Sequence, residues 1–170
     1  MQEITREALV AKASELFENG TVDRMLGWKK GEFSYDVTPG VFTSMDEVND
    51  GFVWDDFCGA NFSKYLLKET AKTEKKVLVF LKPCDTYSFN QLLTEHRFDR
   101  EKVYAIGVPC DGMMDVNTLK AHAEGILSVF EEGDSVIIDT LYDGKKTFSR
   151  GELISERCRC CKSKKHVAYD

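Results

Sequence analysis

The stretch Val77-Leu78-Val79-Phe80-Leu81-Lys82-Pro83-Cys84-Asp85 decides the fold, and a second stretch, Val103-Tyr104-Ala105-Ile106-Gly107-Val108-Pro109-Cys110-Asp111, repeats its pattern. Each is a short apolar run that stops at Pro-Cys-Asp. Runs of this kind, rich in Val, Ile and Leu, are typical of strands buried on both faces. Proline cannot donate to a sheet ladder, so each strand is predicted to end there. A helical stretch separates the two, which predicts parallel strands joined by a crossover, with both thiols at one edge of the sheet.

The composition is that of an ordinary globular domain. A length of 170 residues suits one domain, and 42% hydrophobic and 31% charged residues are usual for such a domain. No stretch approaches the roughly 20 apolar residues that span a bilayer, so no membrane insertion is expected. The six cysteines occur without the apolar core of an export signal. This pattern indicates a cytoplasmic protein, in which metal binding or redox chemistry outranks structural disulfides.

The net charge of −6 is unevenly distributed along the chain. Residues 157–170 carry five Lys or Arg against one Asp, a local charge of +4, whereas the other 156 residues hold 18 basic and 28 acidic side chains. An acidic body argues against general nucleic-acid binding, which requires a basic footprint. The basic segment coincides with the densest cysteines, so it either offsets a negative cofactor or forms a solvated end.

The remaining pattern predicts a single α/β domain, residues 1–170, with a mixed central sheet, flanking helices and a small β ribbon. Short strands broken by glycine and proline at 27–31 and 35–42 are assigned to a small β lobe or ribbon. A two-residue Asp-Gly turn between apolar runs predicts a hairpin over 135–148. Helical periodicity and caps predict helices at 5–19, 60–73, 86–95 and 114–127, and one helical turn at 151–156.

The cysteines carry the chemistry. Cys158 and Cys161 form a Cys-x-x-Cys pair, a spacing that places both sulfurs on one metal or closes a disulfide. Cys84 and Cys110 occupy equivalent positions after the two buried strands, although a buried cysteine also serves as a small hydrophobe. Cys58 lies at a loop-to-helix junction. Several thiols at one edge fit an iron–sulfur cluster better than a zinc finger, which needs a second pair or suitably spaced histidines.

A set of short motifs resembles one known family. The motifs are Trp28-Lys29, Cys58-Gly59-Ala60-Asn61, Lys82-Pro83-Cys84-Asp85, residues 92–100, residues 107–112 and Cys158-x-x-Cys161. In this order they resemble the beta subunit family of coenzyme F420-reducing hydrogenase and formate dehydrogenase, in particular its relatives in anaerobic bacteria. The resemblance spans about residues 20–170, and the combination is more specific than any single motif.

The resemblance implies electron transfer through iron–sulfur clusters and a flavin, with other redox subunits of a complex as partners. We therefore expect the chain to be the N-terminal part, or a short stand-alone relative, of a longer flavo-iron–sulfur subunit, with FAD in the full-length protein and without complete activity alone. No residue is assigned a catalytic role. Our first choice of 4Fe-4S cluster ligands is Cys84, Cys110, Cys158 and Cys161, with Cys58 as the alternative fourth.

Three polar residues near these cysteines are expected to influence a cofactor. Lys82 offsets the charge of a cluster or flavin, or else it solvates the end of its strand. Asp85 and Asp111 either bind a cofactor or, as the favoured alternative, cap the following helix and fix the loop that presents each cysteine.

Two other functions remain open at this point. The first is a zinc-stabilised interaction module in which Cys158, Cys160, Cys161 and His166 close the site. The second is thiol–disulfide chemistry at Cys158 and Cys161, which needs one thiol of low pKa and no metal. No glycine-rich phosphate loop of the GxGxxG or Walker type occurs, so nucleotide-dependent functions are disfavoured.

Overall fold

Two β-sheets form the framework of this computed structural model, which describes residues 4–170. The larger sheet contains five strands: β1 (Val22–Lys30), β2 (Val37–Phe42), β3 (Phe52–Val53), β4 (Lys76–Leu81) and β5 (Val103–Gly107). The smaller sheet is an antiparallel meander of β6 (Ile126–Glu132), β7 (Ser135–Thr140) and β8 (Gly144–Ser149).

Helices connect and cover these strands. They are α1 (Arg6–Glu18), α2 (Met45–Gly51), α3 (Ser63–Glu69), α4 (Asp85–Thr94), α5 (Val116–His122), α6 (Arg150–Leu153) and α7 (Glu156–Arg159), with short 3₁₀ turns at Thr70–Lys72 and Arg100–Lys102. Polar side chains begin three of the helices, since Thr5, Ser44 and Asp115 each accept a hydrogen bond from the backbone N–H three residues later. No helix in the described range 4–170 has the length and apolarity needed to cross a membrane.

The order of the larger sheet is β2-β1-β4-β5, with β3 also paired to β1. Strands β1, β4 and β5 are parallel, and β2 and β3 run antiparallel to β1. The predicted pair of parallel strands is therefore confirmed, with α4 in the crossover. All of Val77–Leu81 is buried, and each strand ends before its proline. Cys84 and Cys110 follow β4 and β5 at the same edge of the sheet.

Two local predictions are corrected. Residues 22–30 are not part of a small lobe but a long strand inside the larger sheet, because Val22, Met25, Leu26 and Trp28 are all buried against it. The small antiparallel sheet lies instead at residues 126–149, where the predicted hairpin gains a third strand. The helix predicted to reach residue 127 ends at His122, since Gly125 adopts a positive φ of 62° and the following residues pair with β7.

The buried residues form two clusters. The larger one fills both faces of the five-stranded sheet and includes α1, α3 and α4, and the smaller one lies between α5 and the three-stranded sheet. An isolated bridge between Met114 and Ile154 joins the segment after β5 to the segment after α6. The cysteine-bearing segments meet where the two clusters adjoin.

Lys82 is a buried cation at the end of β4, and only 2% of its surface is exposed. Its ammonium group donates to the carbonyl oxygens of Cys58 (3.1 Å) and Ala60 (2.9 Å) and forms an ion pair with Asp85 (3.0 Å). It also lies 4.7 Å from the centre of the Trp28 ring. The expectation that Lys82 solvates the strand end is therefore wrong. The side chain instead connects the loop at residues 58–60 to the start of α4.

We expect Lys82→Met to lower the free energy of unfolding by about 3–5 kcal/mol, because the Asp85 carboxylate would remain buried without its partner. The double variant Lys82→Met/Asp85→Asn should lose less than the single variant, since no buried charge is left unpaired. Urea denaturation of the three proteins measures both quantities. A single-variant loss below about 1 kcal/mol would show that water reaches the pair and satisfies the carboxylate.

Candidate cofactor site at the cysteine edge

Cys84 lies directly after β4 and precedes the first turn of α4. Its thiol donates to Asp85 Oδ1 at 3.7 Å, and Asp85 Oδ2 accepts the backbone N–H of Lys82 at 3.2 Å. Asp85 is 3% exposed. These contacts agree with the favoured interpretation, in which Asp85 fixes the loop that presents the cysteine.

Cys110 occupies the equivalent position after β5, and its loop packs against α7. Gly112 in this loop has a φ of 114°, and a Cβ atom there would lie 3.5 Å from Cβ of Cys158 and 3.3 Å from Ile154. The loop therefore needs glycine both for its backbone conformation and for close approach to the Cys-x-x-Cys helix. Asp111 is exposed beside Cys110 and lines a cleft described below.

The four cysteines predicted as the first-choice ligands lie near one another, and we call them the cysteine edge: Cys84, Cys110, Cys158 and Cys161. Burial raises the pKa of Cys84 to about 11, and the charges of Asp85, Cys110 and Cys161 raise it further against the opposing effect of Lys82. Burial also raises the pKa of Cys110, and Cys158 is one of the neighbours that add to the shift. The metal-free thiols at these two positions are therefore protonated at neutral pH.

The cysteine edge is not a closed ligand cage in this structure. Across residues 4–170, no three Cys, His, Asp or Glu side chains are placed closely enough together to hold a metal ion. All six cysteines are free thiols. Cys161 is half-buried, and its thiol donates to the carbonyl of Ser163 at 3.7 Å, whereas Cys160 is exposed. Four cysteine thiolates are the ligands that a 4Fe-4S cluster requires. The thiols of the cysteine edge would have to reorient to bind its iron atoms.

Cys58 has a different environment from the other cysteines. It is fully buried in the larger core, and burial, followed by the charge of Asp55, raises its pKa strongly. Its sulfur accepts the Asp55 N–H at 3.3 Å and donates to Asp55 Oδ1 at 3.4 Å. These contacts favour a structural role, with Cys58 shaping the loop whose carbonyl oxygen accepts from Lys82.

His166 closes the open side of the same sheet edge. Its Nε2 lies 3.0 Å from the carbonyl oxygens of both Leu81 and Val108, so Nε2 carries a proton and donates to these two strand ends. A Cβ at Gly107 would meet the imidazole at 3.0 Å, so the glycine allows this packing. This arrangement favours a structural role over zinc coordination through Nε2.

A cleft of about 870 Å³ opens beside Cys110, between the two sheets. Its wall includes Trp54, Asp56, Asp111, Glu131 and Arg150. Three of these residues could not be predicted, because Asp56, Glu131 and Arg150 come from separate elements with no shared motif. Only the folded chain brings them together.

Arg150 and two carboxylates connect the two sheets across this cleft. The guanidinium group contacts Asp56 Oδ2 at 2.6 and 2.7 Å, lies 3.9 Å from Glu131 and donates to the Gly112 carbonyl at 2.9 Å. The pKa of Glu131 is raised to about 8, first by burial and then by a hydrogen bond to Asp56 and its charge, against the opposing charge of Arg150. The Glu131 carboxyl is therefore largely protonated at neutral pH.

The cleft does not fit the phosphate groups of a flavin dinucleotide. Four acidic side chains lie on its wall: Asp55, Asp56, Asp111 and Glu131. The two arginines on the same wall are already engaged, since Arg150 binds Asp56 and Arg6 donates to the carbonyl oxygens of Phe52 and Asn49. A pyrophosphate would face carboxylates here, so the implied FAD is not assigned to this cleft.

No protein-family model matches the chain. Two proteins with established names are similar to it in sequence. It is 28% identical over 149 residues to the F420-dependent formate dehydrogenase subunit beta of Methanocaldococcus jannaschii, a match that covers 88% of this chain and 36% of that protein. It is also 28% identical over 142 residues to the F420-dependent formate dehydrogenase 1 subunit beta of Methanococcus maripaludis, covering 81% of this chain and 35% of that protein.

The fold is similar to that of one chain in the F420-reducing NiFe hydrogenase complex of Methanosarcina barkeri. The TM-score is 0.66 at 15% sequence identity, and the match covers 90% of this chain and 58% of that chain. At this level of identity the similarity is one of fold. The proteins that it resembles in fold and in sequence are subunits of F420-linked oxidoreductases.

The family resemblance carried by the cysteine motifs is thereby confirmed. The chain is similar in sequence to the beta subunits of F420-dependent formate dehydrogenases, and it spans about a third of the length of the two that it matches.

In metal-free protein, we expect Cys84 to react with iodoacetamide on the order of a hundredfold more slowly than N-acetylcysteine at pH 8, because its pKa of about 11 leaves little thiolate. The rate should rise about tenfold per pH unit up to pH 10. Mass spectrometry of the Cys84 peptide after timed alkylation measures this rate. Since Cys84 is exposed, access does not limit the reaction, and a plateau below pH 9 would contradict the elevated pKa.

We expect Glu131→Gln to stabilise the protein at pH 8 but not at pH 4. The raised pKa means that the native carboxyl stays protonated while the unfolded one ionises, so wild-type stability is lost as pH rises from about 4.5 to 8. The gain should be about 1 kcal/mol, since solvent screens this partly exposed group. Glu132→Gln, on the next and exposed residue, is the matched control. Equal effects of both variants on thermal melts at pH 4 and 8 would contradict the raised pKa of Glu131.

Proposed function

We propose that the chain is an electron-transfer module of a hydrogenase- or dehydrogenase-type oxidoreductase complex, and that the cysteine edge holds a 4Fe-4S cluster. The observation that carries this proposal is the placement of four cysteines on neighbouring segments: two follow the parallel strands β4 and β5, and two belong to the Cys-x-x-Cys segment, where Cys158 packs beside the Cys110 loop. The sequence similarity supports it, because the relatives are subunits of F420-dependent formate dehydrogenases.

The surroundings of the cysteine edge suit a cofactor with negative charge. A cluster bound by four thiolates supplies one-electron transfer and carries net negative charge. The buried Lys82 ammonium group lies close enough to this edge for its charge to oppose the increase that burial causes in the pKa values of Cys84 and Cys110. The exposed Arg157 guanidinium reaches the Gly59 region near the same thiols. These cations would favour thiolates and offset cluster charge.

The choice among the cysteines follows from their burial and contacts. Cys84, Cys110, Cys158 and Cys161 are all at least partly accessible. Cys58 would have to leave the core and its hydrogen bonds to Asp55 before it could ligate iron. Cys160 is exposed between the two cysteines of the Cys-x-x-Cys pair and is not assigned to the cluster. Asp85 and Asp111 act as positioning residues for the cysteine loops.

The test is the iron, sulfide and zinc content of protein purified without oxygen, together with its visible spectrum. We expect about four irons and four sulfides per chain, with broad absorption near 400 nm. Cys84→Ser and Cys161→Ser should lose most of the iron, because each removes one of four ligands. Cys160→Ser is the matched control within the same segment and should keep it.

Two outcomes would contradict the proposal. Stoichiometric zinc, unaffected by Cys84→Ser, would identify a structural metal module. Protein without iron after anaerobic reconstitution with iron and sulfide, but with the wild-type melting temperature, would show that the folded chain lacks a cluster site.

A further inference from the structure

The segment around the Cys-x-x-Cys pair presents an exposed basic surface. Its five side chains, which we call the basic segment, are Arg157, Arg159, Lys162, Lys164 and Lys165, and all five residues are exposed. Within residues 4–170, none of them forms an ion pair with a carboxylate. Their charge is therefore available to a partner, and it lies within a few residues of Cys158 and Cys161.

Exposed apolar side chains continue this surface past the basic segment. Tyr87, Val167 and Tyr169 are 55%, 49% and 63% exposed. The Val167 N–H donates to Thr86 Oγ1 at 3.2 Å, which places Val167 against the first turn of α4 beside Tyr87. Cys84 lies three residues before Tyr87. Aromatic and apolar groups next to charged ones are the usual composition of a protein–protein interface.

The surface is held in place by contacts with the larger sheet. His166 donates to the ends of β4 and β5, and Asp170 exchanges two hydrogen bonds with Ala105 on the outer side of β5, at 2.7 and 2.8 Å. Arg100 forms an ion pair with Asp170 at 2.9 Å. The segment after residue 165 is therefore ordered, so a partner would bind without the cost of ordering it.

The charge distribution selects the kind of partner. The basic segment stands out from a body of opposite sign, so an acidic protein is attracted to this face and repelled elsewhere. A long polyanion such as duplex DNA would extend over the acidic body. The partner that fits is a small acidic protein. Because the basic segment lies next to the cysteine edge, an electron carrier is the kind of acidic protein that suits this position.

We propose that the basic segment and the adjoining apolar side chains form the docking surface for an acidic electron-carrier protein of the ferredoxin type. The electron-transfer part of this proposal depends on the proposed function, in which the cysteine edge binds a cluster. If the cysteine edge binds a cluster, a reduced carrier docked here would transfer one electron to it: the carrier would be oxidised by one electron and the cluster reduced by one, with no bond or proton transferred.

The experiment compares two triple variants with the same net charge. The docking variant is Lys162→Glu/Lys164→Glu/Lys165→Glu, and the control is Lys68→Glu/Lys75→Glu/Lys145→Glu, built on exposed lysines outside the basic segment. Lys75 precedes β4 and so lies at the opposite end of that strand from Cys84. The probe is an acidic plant-type 2Fe-2S ferredoxin, and calorimetry at 20 and 200 mM NaCl gives the dissociation constant.

We expect the docking variant to bind ferredoxin at least about tenfold more weakly than wild type at 20 mM NaCl, and the control within about twofold. Wild-type affinity should fall at 200 mM NaCl because salt screens the attraction. Equal weakening in both variants would overturn the proposal, since it would mean that only net charge matters. Circular dichroism melts establish that both variants are folded, and Lys162→Gln/Lys164→Gln/Lys165→Gln provides a milder second test that removes charge without reversing it.

Iron content and reduction by dithionite, measured on the same preparations, separate this proposal from the proposed function. A dithionite-reducible cluster with ferredoxin binding equal in both triple variants would overturn the docking surface and leave the cluster standing. Charge-specific ferredoxin binding without iron would support the docking surface and contradict the cluster. Binding of a 20-base-pair DNA duplex as tightly as ferredoxin would identify a general polyanion surface and overturn the proposal.

Discussion

The buried ammonium group of Lys82 is the interaction on which the cysteine edge depends. A cation inside a protein is costly unless it is paired and hydrogen-bonded, and here Asp85, two backbone carbonyl oxygens and the Trp28 ring satisfy it together. Those partners come from β1, from the loop at residues 58–60 and from the start of α4. One charge therefore sets the relative positions of three segments, and the loop that carries Cys84 is one of them.

Much of this architecture could be predicted because the relevant signals are local. Two buried strands ending at proline predict a parallel pair and the positions of Cys84 and Cys110, and the structure agrees. The third parallel strand was missed because Gly27 and two lysines interrupt its pattern, although Trp28 is fully buried. The start of strand β6 was missed because Ile126 and Leu127 continue the apolar pattern of the preceding helix, although Gly125 interrupts that helix in the structure.

The candidate site likewise has one part that could be predicted from the sequence and one part that could not. The repeated Pro-Cys-Asp motif and the Cys-x-x-Cys spacing identify the candidate thiols from the sequence. Cys58 differs from the others in being buried, and its burial depends on the whole fold. The cleft and its Arg150–Asp56 pair arise from residues 94 positions apart, and no periodicity encodes such a contact. Lys82 is buried and Asp111 is exposed, although both follow strands of the larger sheet. Packing in the folded chain determines this difference, and the sequence pattern does not.

Because the two apolar clusters differ in size, the two parts of the chain should differ in how readily they unfold locally. The larger cluster contains 23 buried residues and the smaller one 8, so the three-stranded sheet should exchange its amide hydrogens through a lower-energy, sub-global opening. Cys84 and Cys110 follow strands of the larger unit. Cys158 also packs against that unit, but the backbone that leads to it comes from Leu153 in the smaller one. A ligand bound to these thiols would thus link the two cooperative units. Amide hydrogens of β7 would then be among the slowest to exchange only when the ligand is bound.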